Sequence, residues 1–277
     1  MATALSSDDP VLKQVFRDFV SGCHILHHHR VLDAYGHLSV RHPHNPERFF
    51  MSRYIAPATI SSERDLVEYY VDNAEPIDPN SAKGYSERHI HSEILKRYAS
   101  VNAVIHSHSD AVVPYTISGV PMRACYHMAG FLGNEVPVWD IGECWTEGDR
   151  KDMLVSNAYL GSRLAASFGK QAGGAGVGIP EHAAVLMRGH GFTVQGESIM
   201  DVVLRAVYTQ QNASIQTTAL LTRAAHMNAQ NSGTGDLHFL SPEESQGATQ
   251  MTRWSAGRPW RLWLREVEAQ DLYVNTA

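Results

Sequence analysis

The sequence predicts an α/β fold in which one central β-sheet is flanked by helices. Apolar residues repeat at helical spacing in some segments and cluster in short strand-like runs in others. With 277 residues, of which 43% are hydrophobic and 19% charged, the chain can bury one large core. No internal repeat divides it. Residues 1–277 are therefore predicted to form a single domain, with a core over about residues 10–225 and an aromatic tail at 236–277.

The first third of the chain predicts a helix followed by strands. Residues 10–32 carry an apolar side chain every three or four positions, and Pro10 suits a first helical turn. These apolar residues are Val11, Val15, Phe19, Cys23 and Leu26. Apolar runs between Pro, Asn and Asp turns then predict strands at residues 37–41, 49–52 and 66–71.

The middle of the chain predicts two helices separated by a strand. Ser86 is expected to cap a helix over residues 87–98. Its core-facing residues would be Ile90, Ile94 and Leu95. Residues 102–107 predict a buried strand, and residues 149–169 predict a second helix.

The last third predicts a loop, a strand, a long helix and a packed tail. The glycine-rich segment at 173–180 predicts a mobile loop that leads into a strand at 182–187. Helical spacing covers residues 199–225, and residues 226–235 show no periodicity. The tail contains the last three tryptophans of the chain, Trp254, Trp260 and Trp263. Such an aromatic tail is expected to pack against this subunit or a neighbour.

Composition favours a small-molecule partner over a nucleic acid or a membrane. The formal net charge is −6, and no cluster of Lys and Arg forms a basic patch. The apolar runs are far shorter than a membrane span, and Asp8 and Asp9 lie where a secretion signal would be apolar. The three cysteines are scattered, which suits a reducing compartment. These features predict a cytoplasmic protein.

The histidines carry the strongest chemical signal. Chance would give about one His-x-His pair among the 16 histidines, and of the four pairs only His106/His108 lies in a strand-like apolar run, VNAVIHSHS. Residues two apart on a strand share a face, about 7 Å from each other, so this pair can converge on one ion. A catalytic metal site needs a third ligand and one open position. His190, between two glycines in LMRGHGFTV, is the candidate. The alternative is three unrelated core or surface histidines.

Glu87 and His127 are weighed against structural roles. Glu87 could transfer protons, with His91 one turn later, but a carboxylate at a helix start also complements the helix dipole. His127 has metal-like spacing from Cys125 without a third partner, so it is predicted only as a pocket residue. The glycines at 173–178 precede a strand and no GxxxxGK loop occurs, so nucleotide chemistry is not supported.

Over about residues 12–221, four motifs resemble those of the class II aldolase/adducin family: GHLSVR at 36–41, SERHIHSEI at 86–94, VNAVIHSHS at 101–109 and RGHG at 188–191. The resemblance implies an α/β/α fold with a mostly antiparallel sheet, and a homotetramer. It implies that Glu87 is the catalytic acid/base and that His106, His108 and His190 bind one divalent metal ion per chain. Zinc is expected first, with manganese or iron as alternatives.

Departures from the family's sugar-phosphate aldolases bear on the substrate. The resemblance implies a phosphate cradle built from a GN-x-S motif, a PSG turn and an SSE motif. Here His37 replaces the Asn, the turn reads Pro57-Ala58-Thr59, and Tyr85 replaces the first Ser, so a phosphate loses donors. With HMAGFLG at 127–133, these changes resemble the branch that contains metal-dependent decarboxylases of hydroxylated aromatic acids.

The preferred hypothesis is a divalent-metal-dependent carbon–carbon lyase that decarboxylates an unphosphorylated hydroxy-aromatic or keto acid. A Lewis-acid metal would stabilise the enolate or phenolate that forms, and Glu87 would transfer the proton. Four residues would orient the substrate: His37, Arg53, Tyr85 and His127. The alternatives are aldol or retro-aldol cleavage of a hydroxy-carbonyl substrate, epimerisation or dehydration of a sugar phosphate, and a non-catalytic adducin-like interaction module.

Overall fold

The computed structural model describes residues 8–169, 178–230 and 236–277. The seven strands of these residues are β1 His37–Arg41, β2 Arg48–Ser52, β3 Leu66–Tyr70, β4 Ala103–Ser107, β5 Val138–Trp139, β6 Ala184–Met187 and β7 Gly191–Gly196. They form one sheet in the order β3-β2-β1-β4-β7-β6-β5. Every neighbouring pair is antiparallel except β5 and β6. The predicted mostly antiparallel central sheet is therefore confirmed.

Helices cover both faces of the sheet. They are α1 Pro10–His28, α2 Arg88–Arg97, α3 Val113–Ile117, α4 Ala158–Ala166, α5 Ile199–Gln230, α6 Pro242–Ser255 and α7 Gly257–Glu268. Short 3₁₀ helices lie at Pro57–Thr59, Glu63–Asp65, His127–Leu132 and Ile141–Glu143. Across the described ranges, no helix has both the length and the apolar character that a membrane crossing requires.

The sheet divides the core into two parts because side chains alternate along each strand. On β4, Ala103 and Ile105 join the apolar cluster that contains residues of α1 and α5. Val104 points to the other face and joins the cluster formed with α2 and α4. The chain is therefore a three-layer α/β/α domain, with His106 on the same face of β4 as Val104.

The tail packs onto the chain itself, as expected. Trp263 of α7 is 6% exposed and belongs to the core cluster shared with α1 and α5. Its ring centroid lies 4.9 Å from that of His29 and 5.9 Å from that of Tyr208. Trp254 of α6 is 88% exposed, so only part of the aromatic tail is covered by this subunit.

The predicted helix over 149–169 is half wrong. α4 begins at Ala158, where the side chain of Asn157 accepts a hydrogen bond from the Leu160 amide at 2.9 Å and caps the helix. The residues before it are not helical, and Met153 has a φ of 68°. This irregular segment, residues 149–157, lies against the start of α2, where the Val155 amide donates to Glu87.

Other predicted boundaries differ by smaller amounts. Ser86 does not cap α2, because Glu87 occupies the cap position and makes no capping hydrogen bond. The first helix ends at His28 rather than residue 32, since Arg30 takes a left-handed φ of 59°. The strands at 37–41, 49–52, 66–71, 102–107 and 182–187 are confirmed to within two residues, and α5 runs to Gln230. Residues 173–177 and 231–235 lie outside the described residues.

Candidate metal and acid–base site

Three histidines and one carboxylate converge beside β4. His106 lies within β4, His108 follows its end, His190 lies in the turn between β6 and β7, and Glu87 precedes α2. One ligand atom from each lies within 4.8 Å of all the others. The Nε2 atom of His106 is 3.0 Å from that of His108 and 3.3 Å from that of His190, and the last two are 3.1 Å apart. The structure thus brings together the four residues predicted for metal and proton chemistry.

Hydrogen bonds on the outer side of the rings fix the tautomers of His106 and His108. Nδ1 of His108 lies 3.1 Å from a carboxylate oxygen of Asp33. Nδ1 of His106 lies 3.4 Å from the hydroxyl of Thr193, which donates its own proton to the sulfur of Met187. The Asp33 carboxylate has no proton to donate, and the Thr193 hydroxyl already donates its proton to Met187, so both can only accept a hydrogen bond from the histidine rings. Both Nδ1 atoms therefore carry the proton, and both Nε2 atoms present lone pairs.

This arrangement fits a divalent cation. The ring of His190 also makes a hydrogen bond with the backbone of Met153. Since Nε2 of His190 faces the other two rings, its Nδ1 makes that bond and carries the proton. Three lone pairs then face each other at about 3 Å and repel, and no proton lies between them. In a tetrahedral zinc site with bonds of ~2.0–2.1 Å, ligand nitrogens lie about 3.3 Å apart, close to the distances among these three histidines. Histidines that bind metal through one nitrogen commonly donate the other to a carboxylate, as His108 does to Asp33. Metal binding by the three histidines stays a prediction that the donor set supports.

Two glycines allow His190 to approach β4. Gly189 has a φ of 63°, and its amide donates to the Thr116 hydroxyl at 3.0 Å. A Cβ atom at Gly191 would lie 2.0 Å from the carbonyl oxygen of Ser107. Only glycine permits this close approach of the two strands. The turn therefore holds His190 next to His106 in β4 and His108 just after it.

Burial keeps the histidines in the form that binds metals. It lowers the pKa of His106 well below its ordinary value, and the neighbouring His190 and His37 lower it further. Burial also lowers the pKa of His190, although the charge of Glu87 opposes the effect. Neutral imidazoles are expected at neutral pH, and the neutral ring is the metal ligand.

The carboxylate of Glu87 lies beside the triangle of Nε2 atoms and makes no capping hydrogen bond, although the residue occupies the N-cap position of α2. Its carboxylate oxygens lie 3.8 Å from Nε2 of His106, 3.8 Å from Nε2 of His37 and 3.9 Å from Nε2 of His190. Its Oε1 accepts a hydrogen bond from the Val155 amide at 3.0 Å. Burial raises the pKa of Glu87, but His37, His190 and that amide outweigh burial and bring the pKa below its ordinary value. The group is a carboxylate at neutral pH, ready to accept a proton.

Two of the four predicted substrate residues lie next to this cluster. His37 is 2% exposed and is the cross-strand partner of His106, with ring centroids 5.2 Å apart. Tyr85 packs against His37 at 4.7 Å between ring centroids. Its hydroxyl donates to the carbonyl of Ile55, and burial raises the pKa of Tyr85 to about 12. Tyr85 therefore stays protonated and fixes the position of the His37 ring.

The other two predicted substrate residues lie elsewhere. Arg53 is half-exposed, and its Nε donates to Asp65 at 2.9 Å. His127 is exposed at the start of a 3₁₀ helix, where its ring contacts Tyr126. Within the described part of the chain, neither makes a hydrogen bond or ion pair with Glu87 or the three histidines. Their substrate contacts stay predictions.

A second cluster of two histidines and a glutamate lies close enough to hold a metal ion, but one of its histidines has the wrong tautomer. His28, His29 and Glu266 offer ligand atoms within 4.8 Å of one another where α1 meets α7. The side-chain amide of Gln270 lies 3.0 Å from Nδ1 of His28 and also donates to the carbonyl of Glu266. Because the amide nitrogen donates to both, Nδ1 of His28 accepts and Nε2 carries the proton. A proton on the inward nitrogen opposes metal binding there.

Asp33, which the sequence analysis did not identify, should strengthen metal binding through His108. Asn at this position keeps the acceptor for the Tyr35 and Gly36 amides, both now bonded to Oδ1 at 2.8 Å. It can turn an NH₂ group toward Nδ1 of His108, which would disturb that tautomer. We expect Asp33→Asn to weaken metal affinity about 10- to 100-fold in a chelator competition. Asp271→Asn, at an exposed site, is the control, and equal affinities in the two variants would contradict this role.

The chain matches a known protein family over most of its length. The family described as "Class II Aldolase and Adducin N-terminal domain" matches residues 17–217. The described fold also resembles L-fuculose 1-phosphate aldolase from Glaciozyma antarctica PI12, with a TM-score of 0.66 and 16% identity, over 95% of this chain and 93% of that one. At this identity the likeness concerns the fold alone.

Two curated relatives are named decarboxylases. Decarboxylase tropJ from Talaromyces stipitatus is 49% identical over 267 residues, which cover 94% of this chain and 97% of that protein. The 3,4-dihydroxyphthalate decarboxylase of Arthrobacter keyseri is 27% identical over 214 residues, covering 71% of this chain and 76% of the relative. Both alignments extend well beyond the individual motifs.

Proposed function

Because this chain belongs to the class II aldolase and adducin family and is an enzyme of the lyase class, we propose that it decarboxylates an unphosphorylated hydroxy-aromatic or keto acid. One bound divalent ion per chain is part of the proposal. The observation that supports it most directly is the triangle of Nε2 lone pairs from His106, His108 and His190, with the Glu87 carboxylate beside it.

The proton transfers can be assigned to Glu87. A divalent ion bound by the three histidines would supply Lewis-acid stabilisation of negative charge that develops on substrate oxygen. The Glu87 carboxylate takes the proton of a substrate hydroxyl, and the carbon–carbon bond then breaks with its electron pair left on the substrate carbon. Carbon dioxide leaves, Glu87 returns the proton to that carbon, and the product oxyanion takes a proton from solvent. Glu87 thus ends the cycle as the carboxylate in which it began.

Burial around Glu87 supports this assignment. Glu87 is 6% exposed, and His106 and His37 are almost fully covered. The Val155 amide holds one carboxylate oxygen and leaves the other facing the histidines. In such a site, water competes weakly for the proton and for the developing negative charge.

The side chains at the positions of the family's phosphate cradle support the proposed substrate class. A phosphate needs several convergent donors, whereas Tyr85 has already committed its hydroxyl proton to Ile55 and Ala58 has no donor in its side chain. The ring of His37, packed on Tyr85, suits a flat oxygenated substrate. One relative is named for 3,4-dihydroxyphthalate, which is consistent with such a substrate.

Aldol or retro-aldol cleavage of a hydroxy-carbonyl compound is the second candidate. The fold likeness to L-fuculose 1-phosphate aldolase favours it, and both reactions leave an electron pair on carbon. A non-catalytic adducin-like module is disfavoured, because such a module has no need for the buried carboxylate beside three inward-facing imidazoles.

Product analysis tests the proposed function. We expect zinc-loaded protein to release carbon dioxide from at least one member of a panel of hydroxybenzoic, hydroxyphthalic and keto acids, and no aldehyde from sugar phosphates. The same protein stripped with a chelator serves as the control and should release neither product. Aldehyde from a sugar phosphate, with no carbon dioxide from any acid, would favour the aldolase alternative.

Zinc as the physiological ion, a homotetrameric assembly and a cytoplasmic location complete the proposal. The three-histidine donor set suits zinc, with manganese or iron as alternatives. Large apolar side chains exposed on the surface support burial between subunits. Examples on helices α3, α5, α6 and α7 are Ile117, Leu221, Trp254 and Leu262. Elemental analysis and light scattering measure the ion and the assembly.

A further inference from the structure

A buried chain of hydrogen bonds leads away from Glu87 through two histidines. Nδ1 of His37 lies 2.7 Å from Nε2 of His91, and Nδ1 of His91 lies 2.7 Å from the hydroxyl of Ser39. All three side chains are buried, with His91 and Ser39 fully covered. His91 lies in α2, whereas His37 and Ser39 share one face of β1. The mechanism above assigns no role to His91 or Ser39.

The surroundings of His91 determine which nitrogen carries its proton. Burial lowers the pKa of His91 well below its ordinary value, so the ring is neutral and holds a single proton. The ring also makes a hydrogen bond with the backbone of Val104, the residue that pairs with Ser39 across the sheet. A backbone carbonyl can only accept, and Nε2 faces His37, so the proton lies on Nδ1. Nε2 of His91 is therefore an acceptor.

The same argument carries over to His37. Since Nε2 of His91 accepts, Nδ1 of His37 must donate, and in the tautomer with its single proton on Nδ1 the Nε2 atom of His37 presents a lone pair. That atom is buried and has no hydrogen-bond partner among the described residues. It lies 3.8 Å from Oε2 of Glu87, too far for a direct hydrogen bond.

The gap between His37 and Glu87 suits a donor group. A hydroxyl oxygen about 2.8 Å from Nε2 of His37 could donate its single proton to that nitrogen. Two acceptors that face the same point attract a hydroxyl and repel a carboxylate or phosphate oxygen. An asparagine side chain at position 37 could have turned its amide NH₂ toward this point, which a His37 held in this tautomer cannot do.

We propose that His91 is a positioning residue that holds His37 in the Nδ1–H tautomer, so that Nε2 of His37 accepts a hydrogen bond from a substrate hydroxyl beside Glu87, a second hydroxyl and not the one whose proton Glu87 takes. The inference rests on the proposed function and narrows its substrate class to hydroxy acids, in preference to keto acids. The competing interpretation is that His37 and His91 only pack the interior between α2 and the sheet. The two interpretations predict different results for a His91 variant that keeps the side-chain volume but cannot accept the hydrogen bond from Nδ1 of His37.

The tautomer can be measured without substrate. In zinc-loaded protein with ¹⁵N-labelled histidine, long-range ¹H–¹⁵N spectra distinguish Nδ1–H from Nε2–H rings, and His37→Asn identifies the His37 signals. We expect His37 as the Nδ1–H tautomer in the parent and in His91→Gln, whose amide oxygen can replace the acceptor. His91→Leu should lose this preference. An Nε2–H tautomer of His37 in the parent would overturn the proposal.

Ligand binding tests the hydroxyl contact. Calorimetry with 3,4-dihydroxybenzoate and benzoate gives the preference of zinc-loaded protein for the hydroxylated acid. We expect this preference to fall about three- to tenfold in His91→Leu, the range for one neutral hydrogen bond, and to stay within about twofold in His91→Gln. Zinc content should equal that of the parent in both variants. No preference in the parent, or an unchanged preference in His91→Leu, would refute the hydroxyl contact.

These outcomes are separate from failure of the proposed reaction. If the parent binds the hydroxylated acid with the expected tautomer but releases no carbon dioxide from any acid, the reaction assignment fails and the role of His91 stands. If carbon dioxide is released while the His91→Leu preference is unchanged, the reaction stands and His91 only packs the interior.

Discussion

Alanine in place of His106 should leave the purified chain with less than about one tenth of an equivalent of divalent metal, because a three-ligand site does not tolerate the loss of one imidazole. His106 is completely buried in β4, and its Nε2 is within 3.3 Å of both other Nε2 atoms. Alanine at His108 or His190 should have the same result. Lewis-acid stabilisation contributes several kcal/mol, so decarboxylation should fall at least about a thousandfold.

Elemental analysis after dialysis measures the metal, and His226→Ala is the matched control because His226 is exposed on α5. Since a cavity at a buried position can unfold a protein, His106→Gln and the half-exposed His108→Ala are compared by circular dichroism with the parent. A full equivalent of metal in a folded His190→Ala variant would remove His190 from the ligand set.

Strand periodicity was sufficient to predict that two of the three candidate ligands converge. His106 and His108 are two residues apart at the end of a buried strand, so alternation alone places them on one face. His190 is a candidate because of its two flanking glycines, and Glu87 is weighed against a helix-start role. The family resemblance is needed to assign both roles, because nothing local to either residue shows that β6–β7 and α2 meet at β4. His190 comes close because β7 pairs with β4 in the sheet, and Glu87 comes close because α2 packs on the same face of β4.

Partners at long sequence separation could not be predicted. Asp33 and His108 are 75 residues apart, and His37 and His91 are 54 apart, without any local pattern that links them. A contact between distant residues also explains why the helix predicted to begin at residue 149 begins at Ala158 instead. The amide of Val155 finds its acceptor in Glu87 rather than in a helical turn, which is a tertiary contact that local periodicity does not contain.

Glutamine in place of Glu87 should keep the metal and the fold but reduce turnover about 10²- to 10⁴-fold, the contribution of a positioned acid–base group. The amide oxygen can still accept the Val155 hydrogen bond now made by Oε1, so residues 149–157 should stay in place. The amide cannot take a proton from a hydroxyl or return one to carbon. We therefore expect the loss in kcat at nearly unchanged KM, measured as carbon dioxide release.

Glu93→Gln is the matched control for this substitution. Glu93 is a buried carboxylate of α2, the helix that Glu87 precedes. It packs near Gly161 of α4 rather than near the three histidines. Its amide variant should keep full turnover and one equivalent of metal. If Glu87→Gln also retained activity within about threefold of the parent with its metal in place, the proton would have to come from another group, since a positioned acid or base contributes at least about a hundredfold. His37, whose Nε2 lies 3.8 Å from the same carboxylate, would then be the first residue to test.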